Sequence, residues 1–90
     1  MPYTRAVSIP ANQTVNIVPF NQKRITIGIF NVGNYDVYIS PDQTDVRAKG
    51  FPVKAGGGII FKRKDGDKTE YALYGIADGA TEVRVWEEYE

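Results

Sequence analysis

Apolar and polar residues alternate along this chain with a period of two. The pattern is plainest from Arg24 to Ile39, where two alternating runs flank Asn31-Val-Gly-Asn34. Such alternation sends successive side chains to opposite faces of a strand. Ile25, Ile27 and Ile29 therefore share one face, and Val37 and Ile39 are expected to meet them from the next strand of a hairpin. Similar units fill the chain. Alternation and turn residues together predict eight short strands, at Thr4–Ile9, Thr14–Pro19, Lys23–Asn31, Tyr35–Ser40, Phe51–Lys54, Ile59–Lys64, Glu70–Ile76 and Glu82–Glu88. No segment carries a helical period.

The joints between these runs are rich in Pro, Gly, Asn and Asp, which tolerate turn dihedrals. Asp65-Gly66 is a type I′ hairpin signal, and it predicts that the strands on either side of it pair antiparallel. Residues 41–50 are polar and lack alternation, so they read as the longest loop and as a place for mobility or partner contact. Tyr71 and Leu73 alternate with Ala72, Tyr74 and Ile76, and Val83 and Val85 with Arg84 and Trp86. Strands with large groups on both faces either lie between two layers or have a face that another chain covers.

Composition narrows the function. Ninety residues make one domain near the small end of what a single core sustains, so oligomerisation would help. There is no cysteine and no histidine. Disulfides, thiolate zinc sites, thiol nucleophiles and the usual general base and transition-metal ligand are thereby removed. Eleven Lys and Arg balance eleven Asp and Glu, which offers no basic field for a phosphate backbone. The first residues lack the apolar core of a signal peptide, and no run is long enough to span a membrane. The expectation is a chain made in a cytoplasm, with neither nucleic acid nor membrane as partner.

The motifs have structural readings. Gly56-Gly57-Gly58 leads into Ile59-Ile60-Phe61, a strand, and no Gly-Lys-Ser/Thr follows, so it is a turn and not a phosphate cradle. Asp65-Gly-Asp67, even with Glu70, has too few oxygen ligands for calcium and is flanked by Lys64 and Lys68. Lys62-Arg63-Lys64 is the one basic run, with Arg63 turned to the opposite face from its neighbours. Asp36, Asp42, Asp45, Asp78, Glu82, Glu87, Glu88 and Glu90 fall mostly in turns or near the C-terminus, and nothing pairs two across a cleft. Asn12-Gln-Thr14 matches a glycosylation acceptor, idle without a secretion signal. Tyr35, Tyr38, Tyr71, Tyr74, Trp86 and Tyr89 are the informative set, because aromatics on sheet faces dominate protein interfaces and also stack on sugars or bases.

Several stretches carry a resemblance. They are Arg24-x-Ile-x-Ile-x-x-Asn31-x-Gly33, Val37-Tyr-Ile-Ser40, Gly50-Phe-Pro-Val-x-Ala-Gly-Gly-x-Ile-x-Phe61, Glu70-Tyr-x-Leu-Tyr-Gly-Ile-Ala77 and Thr81-Glu-Val-Arg-Val-x-Glu87. In this order they resemble small all-β virion structural proteins of tailed bacteriophages, of the head decoration or head–tail accessory type. The resemblance covers residues 20–88. It implies a non-enzymatic protein located in the virion that forms a trimer or ring and contacts a major capsid or portal or tail protein. Residues 1–19 fall outside it and are expected to form an arm or edge strand that reaches a neighbour.

The combined expectation is one all-β domain over residues 1–90, a single antiparallel β-sandwich of about eight strands, with jelly-roll connectivity as one form. Its role is capsid decoration and stabilisation, without catalytic residues, cofactor or metal. Tyr35, Tyr38, Tyr74, Trp86 and Tyr89 are the candidate interface. Head–tail connection or a tail component is the alternative within that class. A carbohydrate-binding module is the alternative from another class, and an OB-like single-strand binder using Lys62, Arg63 and Lys64 beside Tyr71 and Tyr74 is a third.

Overall fold

The computed structural model describes residues 2–90, folded as eight strands. They are β1 (Pro2–Ile9), β2 (Val15–Val18), β3 (Arg24–Asn31), β4 (Val37–Ser40), β5 (Phe51–Val53), β6 (Gly58–Lys62), β7 (Leu73–Ala77) and β8 (Thr81–Tyr89). One helical turn, α1 (Val46–Lys49), lies between β4 and β5, and a 3-10 turn (Arg63–Asp65) follows β6. Every predicted strand is present, with ends moved by at most three residues.

The strands form two antiparallel four-stranded sheets, in the orders β1-β8-β3-β6 and β2-β7-β4-β5. This interleaving is the double Greek key of a jelly roll. The two inner faces meet through aliphatic side chains. Ile27 and Ile29 of β3 and Val83 and Val85 of β8 oppose Ile17, Val37, Ile39, Val53 and Ala77 in one buried cluster. None of these exceeds 3% exposure, so the space between the sheets is filled.

Two expected hairpins do not exist. β3 pairs with β6 and β8, whereas β4 pairs with β5 and β7, so Val37 and Ile39 meet Ile27 and Ile29 across the core and not along a ladder. Likewise β6 and β7 lie in different sheets, and Asp65-Gly66 ends the 3-10 turn, with Gly66 in the left-handed region at φ 91°. Alternation assigns faces and cannot name ladder partners. A chain that crosses about 10 Å between sheets shows the same pattern as a hairpin. The one pair of consecutive strands that does form a ladder, β4 and β5, is joined by residues 41–50.

That segment is not the open loop expected from its composition. Val46 is 2% exposed, and Arg47 makes a 3.0 Å ion pair with Asp78 and donates to Asn12 Oδ1. Because Asp78 follows the far end of β7 from the start of the loop, residues 41–50 fold back along the outside of the second sheet, with α1 against β4 and β7.

A β-bulge decides the other departure. The register of β3 on β8 slips between Arg24 and Thr26, so Arg24 opposes Tyr89 while Thr26 opposes Glu88. The extra residue reverses the facing of the strand's first position. Arg24 therefore points inward and is fully buried, and Ile25 lies outside the buried core cluster that it was expected to join.

Candidate interaction surface

Two buried polar clusters stand at the two ends of β3, and both hold the fold. At its start, Arg24 Nε donates to Glu87 Oε2 at 3.0 Å, while its terminal nitrogens donate to the carbonyls of Thr69, Tyr71 and Pro19 at 3.2, 3.2 and 2.7 Å. Glu87, expected near an exposed C-terminus, is 3% exposed, and it also pairs with Arg5 at 3.3 Å and accepts from the Tyr89 hydroxyl. Arg63 ties the same end by donating to the carbonyls of Gln22 and Arg24. Burial raises the Tyr89 hydroxyl above its ordinary pKa, and its bond to the Glu87 carboxylate adds to this.

At the other end of β3, Asn31 spends all four of its amide capacities. Its nitrogen donates to the carbonyls of Tyr35 and Val53 at 2.6 and 3.0 Å, and its oxygen accepts from Gly33 N–H and from the Thr81 hydroxyl, both at 3.1 Å. The side chain fastens the β3–β4 and β7–β8 turns to β5. Nearby, Asp36 accepts from Ala55 N–H and from Lys54, which hold its carboxyl below the usual carboxylate range. Neither cluster presents a free reactive group. Among the described residues no three His, Cys, Asp or Glu side chains come together in a set able to hold a metal.

Surface chemistry lies instead on the outside of the first sheet. The ladders place Thr4, Trp86, Gly28 and Ile60 in one row across β1, β8, β3 and β6, and Ala6, Arg84, Phe30 and Gly58 in the next. Trp86 and Phe30 are each 39% exposed and Ile60 is 49% exposed. A Cβ at Gly28 would come within 3.1 Å of the Phe30 ring and 3.3 Å of Ile60, and one at Gly58 would run into the same ring. The two glycines let Phe30 lie flat against the backbone. A shallow depression of about 500 Å³ opens beside Phe30, Arg84 and Trp86 and runs to Thr4 and Ala6 of the edge strand. Charged side chains rim this band, with Glu88 and Lys62 on one flank and the Glu82–Arg84 ion pair, 2.6 Å long, on the other.

The five residues named from sequence do not form one surface. Trp86 is in the band just described. Tyr38 and Tyr74 are half-buried on the outside of the second sheet, the face that residues 41–50 partly cover. Tyr35 lies in the β3–β4 turn, 48% exposed, with its ring against Gly79. Tyr89 sits beside Glu87 in an edge-on contact with Tyr3, ring centroids 5.7 Å apart. Sequence reading missed Phe30 and Ile60 as surface groups. The ladder register is what places them beside Trp86, and strand pairing was not legible. A second, apolar crevice of about 350 Å³ lies between the open edges of β5 and β6, walled by Phe51, Phe61, Tyr71 and Leu73.

No protein family and no curated protein matches this sequence. Solved structures do match its fold. The cupin domain of an XRE-family transcriptional regulator from Enterobacter cloacae superposes with a TM-score of 0.70 at 5% identity, over 99% of this chain and 82% of that one. The chain has the double-stranded β-helix fold. A de novo designed double-stranded β-helix matches at TM-score 0.65 and 16% identity, over 96% of this chain and 99% of that one. A structure described as Bacillus endospore appendages that form disulfide-linked pili matches at TM-score 0.53 and 18% identity, over 98% of this chain and 87% of that one. At such identities the likeness concerns the fold alone, and function has to be argued from the surface.

Proposed function

We propose that this protein is a non-enzymatic structural subunit that binds a larger protein assembly through the outside of its first sheet. The setting implied by its sequence resemblance is a bacteriophage particle, with capsid decoration as the role and a head–tail or tail position as the alternative. One observation carries the reading. Trp86, Phe30 and Ile60 form an uncovered apolar band with a charged rim, the composition of an interface centre and its edge, while the buried Arg24, Glu87 and Asn31 are engaged in holding strands. The jelly roll serves shell proteins and lectins as well as cupins, so the fold accommodates the role without arguing for it. A solved match that builds pili is one case of this fold in an assembled structure, and this chain, lacking cysteine, would have to assemble without disulfides.

Trp86 is the only tryptophan, so its emission reports on this face alone. Titration with empty shells of a tailed bacteriophage should shift that emission to the blue and protect it from acrylamide quenching. Trp86→Ser should then abolish co-sedimentation with the shells. If Trp86 stays open to quencher with every shell and connector tested, but becomes protected by a polysaccharide from a glycan panel, the structural reading is wrong and the carbohydrate-binding reading replaces it.

A further inference from the structure

The two sheets have four edges, and three are built to resist pairing. β2 is four residues long and its register on β7 is broken between Asn16 and Val18. β5 is three residues long and contains Pro52, which has no N–H to donate. β6 begins at Gly58, ends at Lys62 and turns at once into the 3-10 turn. Short length, bulges, proline and edge lysine are the devices by which native sheets avoid joining other chains.

β1 is neither short nor bulged and has no edge lysine, and its one proline, Pro2, stands at the first position of the strand. It is eight residues long, and it pairs with β8 in an unbroken register from Pro2↔Glu88 to Ile9↔Thr81. Its other side faces no strand among the described residues. Thr4, Ala6 and Ser8 point to the outside of the sheet, small and uncharged, and every residue from Pro2 to Ala6 is exposed. Arg5, the one charge of the strand, is turned to the other face, where it pairs with Glu87 and donates to the Ile17 carbonyl.

We infer that β1 is an assembly edge that pairs antiparallel with β1 of a second copy of this chain, about a two-fold axis through Ala6. The register follows from the sequence. Opposed residues in an antiparallel pair share a face, so the axis must pass through a residue position. An axis at Arg5 would set two guanidinium groups opposite one another. An axis at Thr4 would leave Val7 to Ile9 unmatched, and one at Val7 would leave Pro2 to Thr4 unmatched. With the axis at Ala6, Thr4 faces Ser8 of the second copy, Arg5 faces its Val7, and the two Ala6 residues face each other. No like charges oppose, and hydroxyls meet hydroxyls, a favourable cross-strand pair. The contact is isologous, as a two-fold dimer requires. It would fuse the two first sheets into one eight-stranded sheet and set both Trp86 bands on a single continuous face. The inference concerns the open backbone edge of β1, whose Thr4 and Ala6 side chains also border the depression beside Trp86, and depends on the proposed function only for the expectation of an oligomer.

Light scattering after size exclusion tests it, over a series from about 1 µM to about 1 mM. The wild-type mass should rise with concentration from 10.0 kDa to twice that value. Ala6→Lys places like charges directly opposite in the dimer but in open solvent in the monomer, and it should hold the mass at 10.0 kDa with an unchanged melting temperature. Ala6→Glu should behave the same way. An equimolar mixture of the two variants should recover the doubled mass at low salt, because opposite charges then meet across the axis. A wild type that stays monomeric throughout overturns the inference, as does a dimer that Ala6→Lys leaves intact or a mixture that fails to recover. A failure of the shell assay alone touches only the proposed function.

Discussion

Replacing Arg24 is the sharpest test of how this small domain is held together. Its guanidinium is fully buried and donates to Glu87 and to three backbone carbonyls, so removing it takes the one buried cation from Glu87, which keeps only the half-exposed Arg5 and the Tyr89 hydroxyl, and leaves three acceptors without their donor. Losing one partner of a buried pair costs about 3–5 kcal/mol, whereas removing both charges together is far milder. A 90-residue domain holds roughly 5–13 kcal/mol in all. Arg24→Met, which keeps the apolar stem, should therefore take about a quarter or more of the stability and lower the melting temperature by about 12 °C or more. Glu87→Leu should cost a comparable amount by leaving Arg24 unpaired. The double variant should cost clearly less than the sum of the two, with a coupling of about 1.5 kcal/mol or more, yet remain below wild type because the carbonyls of Pro19, Thr69 and Tyr71 still lack their donor. Urea unfolding followed by far-ultraviolet circular dichroism and by Trp86 emission measures each term, and a loss of 3 kcal/mol should move the midpoint by about 1–3 M. Single variants that each cost under about 1 kcal/mol and add without coupling would refute the reasoning, because the buried pair would then be a bystander.

Other consequences are simpler to check. Asn31→Ala should destabilise by about 2–4 kcal/mol in the same urea assay, since it leaves one buried and one half-buried carbonyl without donors and frees the turns that the amide ties. Gly75→Ala should cost about 1–3 kcal/mol by overpacking, because the new methyl would lie 2.6 Å from Ile17 Cδ1 with Val37 behind it. Ile27→Asp should prevent folding, as it sets a carboxylate at a core position only 2% exposed; a soluble variant that melts cooperatively would contradict the assigned inner face. The raised Tyr89 hydroxyl favours its neutral form in the folded state, so its contribution is complete below the unfolded pKa of about 10 and fades as pH climbs through the higher folded value. The stability gap between wild type and Tyr89→Phe should therefore narrow above about pH 10, and a gap that widens there would reverse the sign argued here.

What could be read in the sequence was whatever depends on one strand at a time. Val83 and Val85 inside against Arg84 and Trp86 outside, and Ile27 with Ile29 inside, follow from period-two alternation within a single segment. What depends on two segments at once was not legible. The run through Asn31-Val-Gly-Asn34 has hairpin grammar, yet β3 and β4 face each other through the core, because a short turn serves a sheet-to-sheet crossing as well as a ladder. The burial of Arg24 was hidden for a related reason: one extra residue against β8 inverts the facing of the strand's first position, and no local pattern announces where a partner will slip. The candidate surface divides along the same line. Trp86 stands out by type, whereas Phe30 and Ile60 join it only through the register of three strands.

The two buried clusters bear on what a resemblance in a chain like this can carry. Arg24, Asn31, Gly33, Thr81 and Glu87 are among the positions that carry the proposed resemblance to phage virion proteins, and each sits in one of the clusters that bind β3 to its neighbours. Selection for stability alone would hold such residues in any jelly roll of similar size, because a buried guanidinium or a saturated amide tolerates little change. They serve to close a small sandwich and are silent on what the sandwich binds. The residues that can speak to binding, Trp86, Phe30 and Ile60 on the face and Thr4, Ala6 and Ser8 on the edge, carry almost none of the fold's polar fastening. On the proposed reading, binding and stability rest on largely separate residues of this domain, and Ala6→Lys should disable assembly without loosening a single buried contact.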